Sequence, residues 1–443
     1  MKVIVVGNNH AGTAFVNNVT EMNKNVTVVS YEKSDNISFL ACGIALWVGD
    51  VIKDPKGLFY ANVPDLQKKG ITVHMKHEVI AIDYDTKKVT VKDLASGKES
   101  VDNYDKLVLA TGSIPICPPI EGVDLEGVFF SKTYQQASDI INYAKLPHVK
   151  EVCIVGAGYI GIELVEAFHQ LGKKVRLIEG GSQPLGSYFD PTFTDVVTKS
   201  LQNNQINVNL DEKVSKIKGD KKVSEIVTDK GTYTTDMIII ATGFRPNNTL
   251  YKDKLKTLDN GALIVNKYLQ TSDADVYACG DCVAVLSNVM QGSDSIALAT
   301  NAVRTGILCA ANIIHPTREF DGVQGSNAIK VFDLNMASTG LSEIAAQKRG
   351  FQVVTNEIVD NARPEFMPTN AQVRVKIVYD ATTRRLLGAQ IQSTENHSEV
   401  IHTFSLAIAK KMTVDELALT DFFFLPHYNK PVSWLTLVCL TAP

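Results

Sequence analysis

The chain of 443 residues is too long for one hydrophobic core and is expected to form two or three domains. Its 44 Lys and Arg residues are balanced by 48 Asp and Glu residues, without long charged runs. This balance excludes the basic face of a nucleic-acid-binding protein and a polybasic membrane patch. No apolar run reaches the roughly 18 residues of a membrane span. The apolar run near Met1 is too short for an export signal, and seven irregularly spaced cysteines indicate reduced thiols, so a cytoplasmic protein is expected.

The first predicted unit is "KVIVVGNNHAGTAFV", an apolar strand, a glycine turn and an amphipathic helix. A second strand, "NVTVVSYE", ends in Glu32. This order predicts a dinucleotide-binding βαβ unit with parallel strands. The turn departs from the usual pattern because Asn9 stands where the middle glycine would be, and Asn tolerates unusual backbone angles. His10 at this turn is either a capping or solvated residue or a group facing the bound nucleotide.

A cysteine follows within the apolar stretch "NISFLACGIALWVG", between small residues. Cys42 has two interpretations at this point. Free cysteine is among the most buried residue types and is usually inert in a core. The alternative is a working thiol placed at the start of a helix.

The second unit, "EVCIVGAGYIGIELVEAF", repeats the first with the full glycine pattern from Gly156 to Gly161. Its second strand, "KVRLIEG", ends in Glu179, placed to bind a ribose hydroxyl. Phosphates would lie on the helix amino terminus, where free amides and the helix dipole favour negative charge. No Arg or Lys follows Glu179 to hold a 2′-phosphate, so NADH is preferred over NADPH.

Each unit closes with a buried strand followed by Ala-Thr-Gly, in "YDKLVLATGSIP" and "TDMIIIATGFRP". A third signal, "TSDADVYACGDCV", precedes a long helical stretch. The pair Cys279 and Cys282 within it mimics a redox motif, but we interpret it as coincidental, and no metal site is expected. From about Phe320 the pattern changes to alternating strands and then helices, which predicts an antiparallel sheet with one covered face.

Taken together, the two units, the paired "ATG" strands and the "GD" motif resemble the flavoprotein disulfide reductases that carry two dinucleotide-binding domains. The resemblance implies an α/β fold with two Rossmann-like domains, for FAD and NADH, and a C-terminal α+β dimerisation domain. It implies tightly bound FAD on the first unit, with Asp281 on its ribityl chain. The implied boundaries are 1–115 and 244–318 for the FAD domain, 116–243 for the NAD domain and 319–443 for the dimerisation domain.

Within this family the chain resembles the single-cysteine branch, which includes NADH peroxidase, water-forming NADH oxidase and coenzyme A-disulfide reductase. There is no second cysteine four residues after Cys42 and no C-terminal His–Glu base. "VQGSNAIKVFDLNMASTGL" and "LALTDFFFLPHYNKP" are most similar to the oxidase members. The resemblance implies that Cys42 is a redox thiol that cycles through a sulfenic acid, Cys–SOH. His10 would stabilise the departing oxygen or donate a proton.

The implied reaction is 2 NADH + 2 H⁺ + O₂ to 2 NAD⁺ + 2 H₂O. A helix start and a neighbouring His10 are expected to lower the pKa of the Cys42 thiol. NADH peroxidase and coenzyme A-disulfide reductase remain alternatives, although Glu179 counts against the second. A flavin-bearing redox sensor without turnover is a further alternative.

The resemblance also implies the cofactor contacts and the assembly. Tyr159 would lie over the flavin, Tyr188 and Gly243 would help hold the nucleotide, and Phe424 and His427 would cover the flavin of a partner subunit. A homodimer, possibly paired into a tetramer, is therefore expected, with O₂ and NADH as substrates. The residues expected to contact FAD or NADH are Gly7, Asn8, Asn9, Ala11, Gly12, Glu32, Lys33, Cys42, Val79, Ala110, Thr111, Gly112, Ser113, Lys132, Gly156, Gly158, Tyr159, Ile160, Gly161, Glu179, Tyr188, Gly243, Asp281, Ala297, Leu298, Ala299 and Phe424.

Overall fold

The computed structural model describes residues 1–23 and 25–443. The first part of the chain forms eight strands: β1 (Lys2–Val6), β2 (Thr27–Glu32), β3 (Thr72–Met75), β4 (His77–Asp83), β5 (Lys88–Asp93), β6 (Glu99–Asn103), β7 (Lys106–Leu109) and β8 (Ser113–Pro115). Its α-helices are α1 (His10–Met22), α2 (Ile44–Val48) and α3 (Val63–Lys68). A short 3₁₀ turn, Ala41–Gly43, leads directly into α2.

The second part contains β9 (Val128–Phe130), β10 (Glu151–Val155), β11 (Lys174–Ile178), β12 (Asn207–Asn209), β13 (Val214–Gly219), β14 (Val223–Thr228), β15 (Thr232–Thr234), β16 (Met237–Ile240) and β17 (Phe244–Pro246). Its helices are α4 (Tyr134–Ala144), α5 (Tyr159–Gln170) and α6 (Pro191–Asn203). The chain then returns through β18 (Leu263–Ile264), β19 (Val276–Ala278), β20 (Val283–Ser287), β21 (Gly292–Asp294) and α7 (Ala299–Asn312).

Two parallel sheets dominate this region and share one plan. The first has the order β19–β7–β1–β2–β3 and the second the order β12–β11–β10–β16–β9. Their central strands are apolar runs buried on both faces, as parallel strands between helices require. The edge strand of the first sheet, β19, comes from the part of the chain that follows the second sheet. The chain leaves the first sheet through β8 and returns through β17, and these two strands pair antiparallel.

The last part contains β22 (Asn327–Val331), β23 (Leu334–Gly340), β24 (Val353–Asn361), β25 (Gln372–Asp380) and β26 (Leu386–Ser393). Its helices are α8 (Glu343–Lys348), α9 (Ile401–Ala409), α10 (Val414–Ala418) and α11 (Trp434–Leu440). The five strands form one antiparallel sheet, whose buried side chains share a core with Phe404 of α9 and Trp434 of α11. The expected α/β class, with two parallel sheets and a C-terminal α+β region, is confirmed. Within the described residues no helix has the length and apolar character needed to cross a bilayer.

Candidate active site

Two glycine turns lie at the carboxyl ends of β1 and β10 and bring the following helix close to the sheet. A Cβ at Gly12 would collide with the carbonyl oxygen of Gly7, and a Cβ at Gly161 would collide with that of Gly156. Gly7 and Gly156 themselves have φ of +93° and +104°, which favours glycine. The same contacts therefore fix both turns and expose the first amides of α1 and α5.

The middle position of each turn has a negative φ. Gly158 is extended, with φ −75° and ψ −174°, whereas Asn9 has φ −90° and ψ −145°, outside both the extended and the helical regions. The expectation that Asn9 is accepted for its tolerance of unusual angles stays a prediction. Among the described residues, no neighbouring atom lies within 4 Å of a Cβ built on Gly158, so this glycine leaves open space in which a phosphate can approach the backbone.

The acidic residues that end β2 and β11 hold the turns. Glu32 accepts hydrogen bonds from the backbone amides of Asn8 (2.7 Å) and Ser34 (2.9 Å). Glu179 accepts equivalent bonds from Ala157 (2.6 Å) and Gly181 (2.7 Å). Each carboxylate is thus fixed beside its glycine turn by charge-assisted bonds.

Cys42 lies in the 3₁₀ turn before α2, and its side chain is exposed to solvent. The small residues around it have packing roles. A Cβ at Gly43 would collide with the side chain of Leu58, and one at Gly49 would lie 3.2 Å from Ala167 of α5. Gly43 therefore lets the 3₁₀ turn pack on Leu58, and Gly49 lets the end of α2 lie close to α5, while Cys42 itself stays outside the core. This excludes the interpretation of Cys42 as an inert core residue.

The electrostatic surroundings of Cys42 oppose ionisation. The protein around the thiol partly desolvates it and so raises its pKa, and the carboxylates of Glu163 and Asp281 raise it further. Lys132 has the opposite, smaller effect. The expectation of a lowered Cys42 pKa is therefore wrong. The helix after Cys42 has only five residues, and His10 does not supply a compensating charge because burial lowers its own pKa.

Three polar groups form a cluster near Cys42. Lys132 Nζ donates to Ser113 Oγ (2.7 Å), and Ser113 Oγ donates to Asp281 Oδ2 (2.8 Å). Lys132 Nζ also lies 4.0 Å from Asp281 Oδ2 and 4.3 Å from the centre of the Phe244 ring. Burial lowers the pKa of Lys132. Lys132 is thus held by specific partners rather than solvated on the surface.

Tyr159 and Tyr188 are in contact, with ring centroids 4.5 Å apart. The Tyr159 hydroxyl donates to Oδ1 of Asn327 in β22, which also accepts a hydrogen bond from Ser338 (3.0 Å). The tyrosine at the start of α5 is therefore bonded to the C-terminal sheet. Asn327 and Ser338 lie in the quoted segment "VQGSNAIKVFDLNMASTGL", but they were missed as individual site residues because nothing in that segment indicates a contact with Tyr159.

Sequence reasoning also missed Glu163 and Tyr60. Burial, with Glu166 nearby, raises the pKa of Glu163 to about 7. Glu163 follows Tyr159 by one turn of α5, and the negative charge of its carboxylate raises the pKa of the Cys42 thiol. The hydroxyl of Tyr60 contacts the His10 ring. An (i, i+4) spacing from Tyr159 was the one signal available for Glu163.

The remaining predicted residues lie in several settings. Thr111 Oγ1 donates to the carbonyl of Asn247 (2.9 Å), and Gly112 and Gly243 have positive φ. Val79 is buried in the core of the first sheet, so its side chain faces protein. The other predicted residues are Ala11 at the start of α1, Lys33 exposed after β2, Ala110 after β7, Ile160 in α5, Ala297 before α7, Leu298 and Ala299 at its start, and Phe424 exposed between α10 and α11.

The two cysteines of the "CGDC" motif are poorly placed for redox work. Cys279 and Cys282 are fully buried, and burial contributes to a raised pKa in both. All seven cysteines are free, so the "CGDC" motif is not a disulfide. Across residues 1–23 and 25–443, no three His, Cys, Asp or Glu side chains are grouped to hold a metal ion.

The first unit fits FAD on three observations. The α1 amides at a glycine turn suit a pyrophosphate. The side-chain amide of Asn8 is fully buried, and neither its nitrogen nor its oxygen has a hydrogen-bond partner among the described residues. A Cβ at Gly112 would meet no atom within 4 Å, which leaves room at the end of β7. The Ser113, Lys132 and Asp281 cluster then supplies polar groups for the rest of the cofactor.

Two dinucleotide-binding sheets beside the exposed Cys42 thiol define a flavin-dependent oxidoreductase that uses a pyridine nucleotide. Residues 1–306 match the family of pyridine nucleotide-disulphide oxidoreductases, and residues 326–436 match the dimerisation domain of the same family. The chain belongs to this family, whose members use FAD. The expected family and its FAD and NADH cofactors are thereby confirmed.

Individual relatives are similar over the whole chain. An NADH oxidase from Streptococcus pyogenes is 45% identical, with 100% of this chain and 99% of the relative covered. The solved structure of a water-forming NADH oxidase from Lactobacillus brevis, bound to NADH, has a TM-score of 0.97 at 40% identity, covering 99% and 97% of the two chains. A coenzyme A-dependent NAD(P)H sulfur oxidoreductase from Pyrococcus furiosus is 35% identical, covering 99% of this chain and 98% of the relative.

Proposed function

We propose that this protein is an FAD-dependent NADH oxidase that reduces O₂ to water, with Cys42 as its redox thiol. The carrying observation is that Cys42 is exposed beside the Lys132 and Asp281 cluster, with a free thiol and no disulfide. A lone thiol of this kind has the sulfenic acid as its natural two-electron oxidised state. Relatives named NADH oxidase over the full length support the assignment of oxygen as the oxidant.

The chain's own residues would hold two nucleotides. The turn from Gly7 to Gly12, with Ser113, Lys132 and Asp281, would hold FAD, and the turn from Gly156 to Gly161 would hold NADH. When bound, FAD accepts hydride from NADH and reduces O₂ by two electrons to hydrogen peroxide. The Glu179 carboxylate, fixed by Ala157 and Gly181, would accept the ribose hydroxyls and repel a 2′-phosphate.

Cys42 then removes the peroxide. Its thiolate attacks one oxygen, so that an S–O bond forms and the O–O bond breaks. Sulfur loses two electrons and hydroxide leaves, giving Cys–SOH. A hydride equivalent from a second NADH converts Cys–SOH to thiolate and water, and one proton neutralises the hydroxide. His10 stabilises the departing oxygen, which suits the hydrogen-bonding capacity of an imidazole.

The assembly we propose is a homodimer, which could pair further into a tetramer. Its support is the dimerisation domain over residues 326–436 and the large exposed side chains between α10 and α11. Leu419 is 82% exposed and Phe423 71% exposed, and Phe424, Leu425 and Tyr428 of the same segment are exposed as well. Several large apolar side chains exposed along one segment are typical of an interaction surface. Free thiols at all seven cysteines support a cytoplasmic location.

The test is the ratio of NADH oxidised to O₂ consumed, measured with and without catalase. Water formation requires two NADH per O₂ and no effect of catalase. A ratio of one, with oxygen returned by catalase, would show that hydrogen peroxide is the product. Oxidation of NADH by added peroxide without O₂ uptake would instead identify an NADH peroxidase.

A further inference from the structure

The His10 ring is held by a single tyrosine. His10 Nδ1 lies 2.9 Å from the Tyr60 hydroxyl, and the two rings are parallel within 1° with centroids 5.8 Å apart. Among the described residues this is the one hydrogen bond of the His10 ring. The other ring nitrogen, Nε2, is therefore available to a bound molecule.

Tyr60 is fixed by the same local structure that carries Cys42. Phe39 and Phe59 form a bridge, and the backbone amide of Leu40 donates to the carbonyl of Leu58 (2.8 Å). Cys42 comes three residues after Phe39, and Tyr60 follows Phe59 directly. The positions of Cys42 and of the His10 partner are thus set by one pairing of two short segments.

Both groups are neutral near pH 7. Burial lowers the pKa of His10 from its ordinary value. The carboxylate of Asp281 raises this pKa, and the charge of Lys132 lowers it, but burial is the largest effect. Burial raises the pKa of Tyr60 to about 12. A neutral imidazole has one N–H and one acceptor nitrogen, so the location of its proton decides what Nε2 can do. A phenol is a stronger acid than an imidazole N–H, so the Tyr60 O–H is the donor and His10 Nδ1 the acceptor.

We propose that Tyr60 is a positioning residue that keeps the His10 proton on Nε2, where it donates to the oxygen leaving the peroxide. The proposal rests on the proposed function, since it assigns a donor to the step in which Cys42 breaks the O–O bond. In the opposite tautomer Nε2 would be an acceptor and would repel the departing hydroxide. Tyr60 thus gives a neutral His10 the polarity that the step needs.

The test uses the FAD-loaded protein with Cys42 in its reduced, thiol form. It measures the rate at which this thiol forms Cys–SOH with hydrogen peroxide. Timed samples are quenched with dimedone and the Cys42 adduct is quantified by mass spectrometry. Tyr60→Phe keeps the ring but removes the donor, and we expect a loss of about three- to tenfold, as for one net hydrogen bond. Tyr134→Phe is the matched control, because Tyr134 packs on Phe59 in the same aromatic cluster without contacting His10.

Two readouts separate positioning from a structural effect. In a His10→Ala background, Tyr60→Phe should cost nothing further, since its partner is gone. In the native background the deficit should be full at pH 8 and shrink as the pH falls through the His10 pKa. Protonated His10 carries a proton on both nitrogens, so Tyr60 no longer selects one.

An unchanged rate in Tyr60→Phe, a deficit that persists in the His10→Ala background, or a deficit independent of pH would overturn the proposal. Failure of the proposed function gives different results. If Cys–SOH formation depends on Tyr60 but the native protein consumes no O₂, the positioning role holds and the oxidase assignment fails. If Cys42 forms no dimedone adduct in the native protein, both are overturned.

Discussion

The carboxylate of Glu179 accepts a hydrogen bond of 2.6 Å from the backbone N–H of Ala157, so the acid that follows β11 is fixed beside the second glycine turn. Replacement of Glu179 by Gln preserves an acceptor for this amide and removes the negative charge. Gly180 has an ordinary backbone angle, and a Cβ there would lie 3.5 Å from the Lys213 side chain, so it can accept an arginine. We expect the Glu179→Gln/Gly180→Arg variant to raise kcat/KM for NADPH by roughly tenfold or more, as charge-assisted contacts allow.

The matched control is Glu32→Gln, because Glu32 makes the same bond to Asn8 in the first unit. It should weaken retention of FAD and leave the choice between NADH and NADPH unchanged. Equal kcat/KM for both nucleotides in the native protein would contradict the specificity assigned to Glu179.

Alanine substitutions at two glycines of the second turn should have different effects, one on stability and the other on NADH binding. A Cβ at Gly161 collides with the Gly156 carbonyl, so Gly161→Ala should lower the free energy of unfolding by about 1–3 kcal/mol. A Cβ at Gly158 meets no protein atom, so Gly158→Ala should keep its thermal midpoint and raise the KM for NADH. Thermal melts and steady-state kinetics measure both. Loss of stability in Gly158→Ala would mean that this glycine serves the fold.

Cys42→Ser tests the fate of oxygen. A hydroxyl cannot form a sulfenic acid, and the change in volume is small, so FAD should remain bound. The variant should still oxidise NADH but release hydrogen peroxide, moving from two NADH per O₂ towards one. Cys117→Ser is the control, since Cys117 is the other exposed cysteine. If Cys42→Ser still makes water without peroxide, another group reduces the peroxide.

Glu163 should control the pKa of the Cys42 thiol. Its carboxylate raises that pKa, so Glu163→Gln should lower it and speed alkylation by iodoacetamide. The pKa of Glu163 itself is about 7, so the acceleration should grow above pH 7, where the native carboxylate is charged, and fade below it. Lys132→Met should raise the Cys42 pKa and slow alkylation, because Lys132 lowers that pKa. Identical pH profiles for all three proteins would exclude this electrostatic control.

The exposed segment between α10 and α11 should be part of the dimer contact. Phe423 is 71% exposed, and Phe423→Asp would place a charge in an apolar interface. We expect a shift towards monomer by at least tenfold in the dissociation constant, measured by sedimentation. Val101→Asp is the control, because Val101 is 64% exposed on β6 of the first part. A monomeric native protein at micromolar concentration would refute the proposed dimer.

Sequence alone was sufficient where spacing along the chain sets the structure. The glycine turns, Glu32 and Glu179 follow from short strand–turn–helix segments, in which a Cβ at Gly12 or Gly161 would strike the backbone of the same turn. The second sheet and the C-terminal sheet were likewise predictable, since their periodicity is local. The domain boundaries and the individual cofactor contacts stay predictions.

Tertiary structure decided which residues of distant segments contact one another and how these contacts change their pKa values. Tyr60 reaches His10 across 50 positions, and Ser113 reaches Asp281 across 168, pairs that no local pattern encodes. The pKa of Cys42 was predicted in the wrong direction for the same reason. A helix start is visible in the sequence, but the desolvation and the carboxylate of Glu163 come from the packing of α2 on α5. Sequence spacing determined which functional groups are present. The packing of distant segments determined the electrostatic environment of these groups, because a pKa depends on neighbours that only folding brings together.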